Sequence, residues 1–156
     1  MITISSSATL ISSGFYSGYA PKAPGTVGSV AAVFAWLLAS WLGLLSSIPS
    51  HLIAALVVIV IGTWATKISL DEEGGEDPQW IVIDEWAGIF ISLIGTGASN
   101  LLHVGLAFAF FRLFDILKPG LVSKAEDLPG AYGIMGDDVV AGIAAVICLS
   151  ILRVWI

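Results

Sequence analysis

The sequence predicts an all-α protein: a polytopic membrane helical bundle of about four to five transmembrane helices, forming a single domain over residues 1–156, with its motif loops on the cytoplasmic side. Three observations lead there. The chain is 57% hydrophobic and its mean hydropathy is +0.96. Charged residues make up only 12%, about half the share of roughly 25% usual in soluble domains. Four apolar stretches approach or reach the roughly 20 residues that span a bilayer: Val27–Leu45, Leu52–Ile68, Leu101–Leu117 and Val139–Ile156.

The elements follow in order along the chain. Before the first stretch, Met1 to Gly25 has no positively charged opening and no sustained apolar core, so no cleavable signal peptide is expected. Ser46-Ser47-Ile48-Pro49-Ser50 separates the first two stretches, and Gly74-Gly75 follows the second. A fifth, shorter segment, Ile81–Ile94, carries Asp84 and Glu85 in its first turn. A helix from Trp80 to Ile94 rises about 22 Å, short of the roughly 30 Å hydrocarbon core, so this segment either starts in a polar crevice or re-enters. Gly95-Thr96-Gly97 and Pro119-Gly120 bracket the next stretch. The single cysteine, Cys148, lies in an apolar run and reads as a small buried hydrophobe.

If all five segments cross, the loops alternate between two sides. Lys22, Lys67, Arg112, Lys118 and Lys124 fall on or next to the side of the N-terminus, which the positive-inside rule assigns to the cytoplasm. All 12 Asp and Glu lie between Asp71 and Asp138 and fall on that same side, while His51 and His103 fall opposite. Trp64, Trp80 and Trp86 sit near the inner face and Trp41 and Trp155 near the outer, whereas Trp36 is mid-segment and packs or faces lipid. A net charge of −6 speaks against nucleic acid as a partner.

A lipid environment penalises a carboxylate by roughly 2.5–3.5 kcal/mol at a helix centre, so acidic clusters beside apolar segments point to use. Ala23-Pro24-Gly25-Thr26-Val27-Gly28-Ser29 opens a helix with free amides and the Thr26 and Ser29 hydroxyls, suited to an anion or to simple N-capping. Asp77-Pro78 leads to Asp84-Glu85, where a cap explains one carboxylate more easily than two. Arg112, Asp115 and Lys118, spaced by three, form one polar stripe, which either clamps phosphate beside a metal-binding Asp115 or neutralises itself. Gly133-Ile134-Met135-Gly136-Asp137-Asp138 again heads an apolar helix with two carboxylates, hard oxygen donors of the kind that hold Mg²⁺ with a substrate phosphate. Asp71-Glu72-Glu73-Gly74-Gly75-Glu76 reads as a solvated loop.

Taken together, Pro24-Gly25-Thr26-Val27-Gly28-Ser29, Asp77-Pro78 with Ile83-Asp84-Glu85 and Gly88, Phe111-Arg112-Leu113-Phe114-Asp115-Ile116-Leu117-Lys118-Pro119 and Gly133 to Gly142 resemble the phosphatidylglycerophosphatase A family. The resemblance runs from about Gly14 to Gly142. It implies a Mg²⁺-dependent enzyme of the bacterial inner membrane, with its active site facing the cytoplasm, that hydrolyses phosphatidylglycerophosphate to phosphatidylglycerol and phosphate. Gly120-Leu121 and Gly130-Ala131 depart from the Trp-Pro and paired glycines the family tends to carry there.

The expected metal ligands and catalytic groups are Asp84, Glu85, Asp115, Asp137 and Asp138; the expected phosphate contacts are Thr26, Ser29, Arg112 and Lys118. Cys148 lacks a phosphatase loop, and both histidines lie opposite the charges, which excludes cysteine and histidine nucleophiles and leaves water or an aspartate. A carboxylate-lined ion or solute transporter is the alternative from another class, though the charges sit at one edge rather than the midplane. Oligomeric state is not legible.

Overall fold

The computed structural model describes residues 4–74 and 78–155; Gly75, Glu76, Asp77 and Ile156 of the motifs and segments above lie outside them. Among the described residues every regular element is helical: α1 (Ile4–Ser12), a 3-10 turn (Ser17–Tyr19), α2 (Pro24–Trp41), α3 (Ile48–Glu72), α4 (Ile83–Ser92), α5 (Leu101–Leu117), α6 (Leu121–Glu126) and α7 (Ala131–Leu152). By length and apolarity α2, α3 and α7 qualify as membrane spans. The 17 residues of α5 add a further rise of about 25 Å.

Chain direction alternates as expected: α2, α4 and α7 start at one end of the bundle, and α3 and α5 finish there. Helix starts at the two ends differ. At the far end, Ser47 and Ser50 form a reciprocal capping box on α3, and the Asn100 side chain accepts from the His103 amide on α5. None of the starts of α2, α4 and α7 has a side-chain cap.

The short third segment lies at the centre. Eight residues of α4, from Ile83 to Ser92, are buried, and α2, α3, α5 and α7 all pack against it. The helix is shorter than the predicted Ile81–Ile94, and other helices enclose most of its length. It runs parallel to α7, with Gly88 against Gly142 midway. Beyond its end, Gly95 O accepts from Arg153 Nη1 at 3.1 Å and Thr96 bonds the same guanidinium. A helix of ten residues can stand at the centre of the bundle because neighbouring helices surround it.

Several boundaries move. The last segment was expected to begin at Val139, yet α7 starts at Ala131, so Asp137 and Asp138 sit in its second turn and cap nothing. Gly130, at φ 56°, supplies the break that allows the earlier start. Helix α3 continues to Glu72, taking Asp71 and Glu72, both exposed, into its last turn rather than a loop.

Two elements were not anticipated. Helix α1 is short and polar in pattern, and tertiary contacts hold it. Ala8 is fully buried, Ser12 Oγ bonds Ser69 Oγ of α3 at 3.0 Å, and the Ser12 carbonyl accepts from Val82 N at 2.9 Å. Helix α6 folds inside the predicted Lys118–Asp138 loop and packs on α7. Trp36 proves to be core: it is fully buried and stacks on His51 with ring centroids 5.6 Å apart. Leu38, Val57, Ile61 and Ile147 are exposed on the outer surface, which suits a surface bathed in hydrocarbon.

Candidate active site

A cavity of about 720 Å³ opens at the end of the bundle where α2, α4 and α7 begin. Its walls draw on all four motifs: Ala23 to Gly25, Asp84 and Glu85, Asp115 and Lys118, and Gly130 to Asp138. The starts of α2, α4 and α7, none of them capped by a side chain, bring the positive ends of three helix dipoles to this end of the bundle, though the first amides of α7 are taken by the Pro129 and Gly130 carbonyls. That partly offsets the carboxylates and favours an anion.

At the floor, one carboxylate oxygen each from Asp84, Glu85 and Asp138 lie within 4.8 Å of one another. Asp138 is 3% exposed, and Glu85 Oε2 is buried without a hydrogen-bond partner among the described residues. Neither Glu85 nor Asp138 has a lysine or arginine in ion-pair contact among the described residues. Carboxylates this close repel one another unless a cation sits between them. Gly25 explains how Glu85 fits: a Cβ there would collide with Glu85 Oε1. Three hard oxygen donors around one point suit Mg²⁺, which is commonly held by a few carboxylates plus phosphate oxygens.

The other carboxylates are engaged by cations. Asp115 stands in the last turn of α5, where the dipole disfavours a negative charge, and Arg112 pairs with it at 2.6 Å. Asp115 also lies beside Asp138. Lys118 ends α5 in the left-handed region at φ 44°, a conformation costing about 1–2 kcal/mol for a non-glycine residue. This turn sends its ammonium back to Asp137 at 2.8 Å and to Glu126 of α6 at 2.6 Å. Burial opposes the Lys118 charge, but the hydrogen bonds to Asp137 and Glu126 outweigh it and hold the amine well above the ordinary lysine value. Lys118 therefore stays a cation at the cavity rim throughout the physiological range.

Thr26, Ser29 and Arg112 are placed apart from the cavity. Ser29 is fully buried and donates to Gly25 O at 2.8 Å, while Arg112 donates to Ser29 Oγ at 3.3 Å and Thr26 Oγ1 at 3.4 Å. Arg112 thus ties α5 to α2 directly behind the cavity wall. Neither hydroxyl serves as an N-cap: α2 starts at Pro24 after Ala23, in the left-handed region, with no side-chain bond. Gln79, within the motif that leads to Asp84-Glu85, also lines the cavity, as do Glu126 and Leu128, which belong to no sequence motif. For Glu126 a signal existed, since it shares a predicted same-side loop with Lys118 and bears the opposite charge.

The acidic, helix-ringed cavity thus stands at one end of an apolar bundle. The phosphatidylglycerophosphatase A family model matches residues 10–153, and the chain belongs to that family of lipid phosphatases. It is 39% identical over 151 residues to a Bacteroides thetaiotaomicron protein named provisionally as a phosphatidylinositol-3-phosphatase, covering 94% of this chain and 93% of that one. It is 36% identical to phosphatidylglycerophosphatase A of Haemophilus influenzae, covering 94% and 88%, and 34% identical to that of Escherichia coli, covering 86% and 76%. No solved structure matches it. Membership of an enzyme family sets the transporter alternative aside.

Proposed function

We propose that the chain hydrolyses the terminal phosphomonoester of phosphatidylglycerophosphate, with Mg²⁺ held by Asp84, Glu85 and Asp138. The observation that carries this reading is the carboxylate trio at the floor of the cavity. At about 720 Å³ the space falls within the roughly 300–1,000 Å³ of small-molecule pockets, ample for a glycerol phosphate headgroup. Bound there, Mg²⁺ would offset charge on the phosphoryl oxygens.

The chain's own groups supply the rest. Lys118 and the start of α2, which line the cavity, would meet the remaining phosphoryl oxygens. Asp115, which lines the cavity and is oriented by Arg112, would accept a proton from the attacking water. Asp137, held by Lys118, positions that lysine rather than binding metal.

A second reading, a 3-phosphorylated inositol lipid as substrate, is favoured by the name of the Bacteroides relative, the most similar of the three compared. The departures at Gly120-Leu121 and Gly130-Ala131 bracket α6, the wall that would meet a headgroup. Phosphate release from short-chain forms of both lipids, with Mg²⁺ and with excess chelator, separates the two readings. We expect phosphatidylglycerophosphate to be used at least about tenfold better by kcat/KM, and chelator to abolish turnover. The reverse preference would assign the inositol lipid.

The cavity end is proposed to face the cytoplasm of a bacterial inner membrane. Ser47 and Ser123 are both exposed and lie at opposite ends. With Cys148 replaced by alanine, Ser123→Cys should react with an impermeant thiol reagent only from the cytoplasm, and Ser47→Cys only from outside. Reaction of both from one side contradicts the orientation.

A further inference from the structure

Along the α2–α5 seam, the faces that carry Thr26 and Arg112 continue away from the cavity at helical spacing. On α2, Val30, Val33 and Phe34 follow Thr26 in steps of three and four; on α5, Phe108 and Gly105 precede Arg112 in the same way. These residues line an open groove of about 230 Å³ with no polar side chain in its walls. Gly105 leaves it unfilled, for nothing lies within 4 Å of where its Cβ would stand. At the head of the groove the Arg112 guanidinium crosses from α5 to Thr26 and Ser29. On the other side of that crossing, Gly25 and Asp115 line the cavity.

Carboxylate cluster, cation with hydroxyl, and apolar channel thus follow one another along a single line. A diacyl phospholipid bearing a terminal phosphate has the matching order: phosphomonoester, phosphodiester, hydrocarbon. We propose that the groove between α2 and α5 seats one acyl chain of the substrate, with Arg112 and Thr26 meeting the phosphodiester at its head. This rests on the lipid phosphatase reading and adds to it a place for the chain. Arg suits that junction because its planar fork matches phosphate oxygens, and its contacts to Thr26, Ser29 and Asp115 hold the fork in place. The groove then selects substrates by their hydrocarbon, whereas the cavity acts on the headgroup.

The test uses the full chain in detergent micelles with Mg²⁺ and two substrates: dioctanoyl phosphatidylglycerophosphate and its deacylated headgroup, glycerophosphoglycerophosphate. Gly105→Leu fills the groove, and its helical backbone accepts leucine without strain. We expect it to raise KM for the dioctanoyl lipid about tenfold with little change in kcat, so that the preference for diacyl over deacylated substrate falls by the same factor. Ile147→Phe, on the exposed face of α7, adds similar bulk away from the groove and should keep the wild-type preference. If Gly105→Leu does not fold, Phe34→Ala, which removes an exposed groove wall, must show the same loss of preference. A wild-type preference in the folded groove variant means that bulk lipid alone occupies the groove, and overturns the proposal. A wild-type enzyme that releases phosphate from neither substrate overturns the lipid phosphatase reading itself, and the groove assignment with it.

Discussion

Replacing Asp138 with asparagine is expected to lower phosphate release on the order of 10³-fold, the effect of removing one fixed electrostatic partner from a reacting centre, while making the metal-free protein more stable. Both effects follow from the same geometry. Asp138 is almost fully buried, shares its site with Asp84 and Glu85, and has no ion-pair partner among the described residues. Neutralising it relieves repulsion in the folded state and removes a donor from the proposed Mg²⁺ site. Thermal unfolding in detergent checks this independently of turnover. Wild type should gain about 2.7 kcal/mol when Mg²⁺ is raised to a hundred times its dissociation constant, and Asp138→Asn should lose most of that gain. Should the variant keep both its activity and its response to Mg²⁺, the trio is not a metal site.

Gly88→Ala is expected to destabilise the protein by about 2–3 kcal/mol and to take activity down with it. The site depends on α4 and α7 crossing closely enough to bring Glu85 and Asp138 together. At the crossing, a Cβ on Gly88 would collide with the Phe111 ring and stand 2.9 Å from Asp138 O. One on Gly142 would stand 2.6 Å from Gly88 O. Phe111 is fully buried and has no room to retreat. Phe111→Leu should be costly alone, yet combined with Gly88→Ala it should recover part of the lost stability, since the smaller side chain opens the space the methyl needs. Strict additivity of the two substitutions would show that this contact does not set the crossing.

The cavity end of the bundle could be read from the chain because the physics involved is one-dimensional. Span lengths and loop parity place Gly25, Asp84, Asp115 and Asp138 at one end, and the structure puts all four in one cavity. The Arg112–Asp115 pair was legible for the same reason: residues three apart on a helix are neighbours. Helix α1 was not legible, because burial of Ala8 and the Ser12–Ser69 bond hold it, and both come from distant chain. The start of α7 was misplaced because carboxylates beside an apolar run look like caps. Packing of α6 and the turn at Gly130 extend the helix back by two turns.

By itself the sequence determined the all-helical class, the alternation of its segments and the gathering of acidic residues at one end. These depend on hydrophobic length and helical period, which are local. Only the tertiary structure decided which group each carboxylate meets. Lys118 reaches across to engage Asp137, Arg112 engages Asp115 and the α2 hydroxyls, and Glu85 and Asp138 are left facing Asp84. Spacing along one helix assigns the Arg112–Asp115 pair but not the partners that come from other helices. A carboxylate's chemistry is set by the nearest charge: for Asp115 that charge is one turn away on its own helix, for Asp137 it reaches in from the end of α5, and for the trio a bound cation is the proposed source.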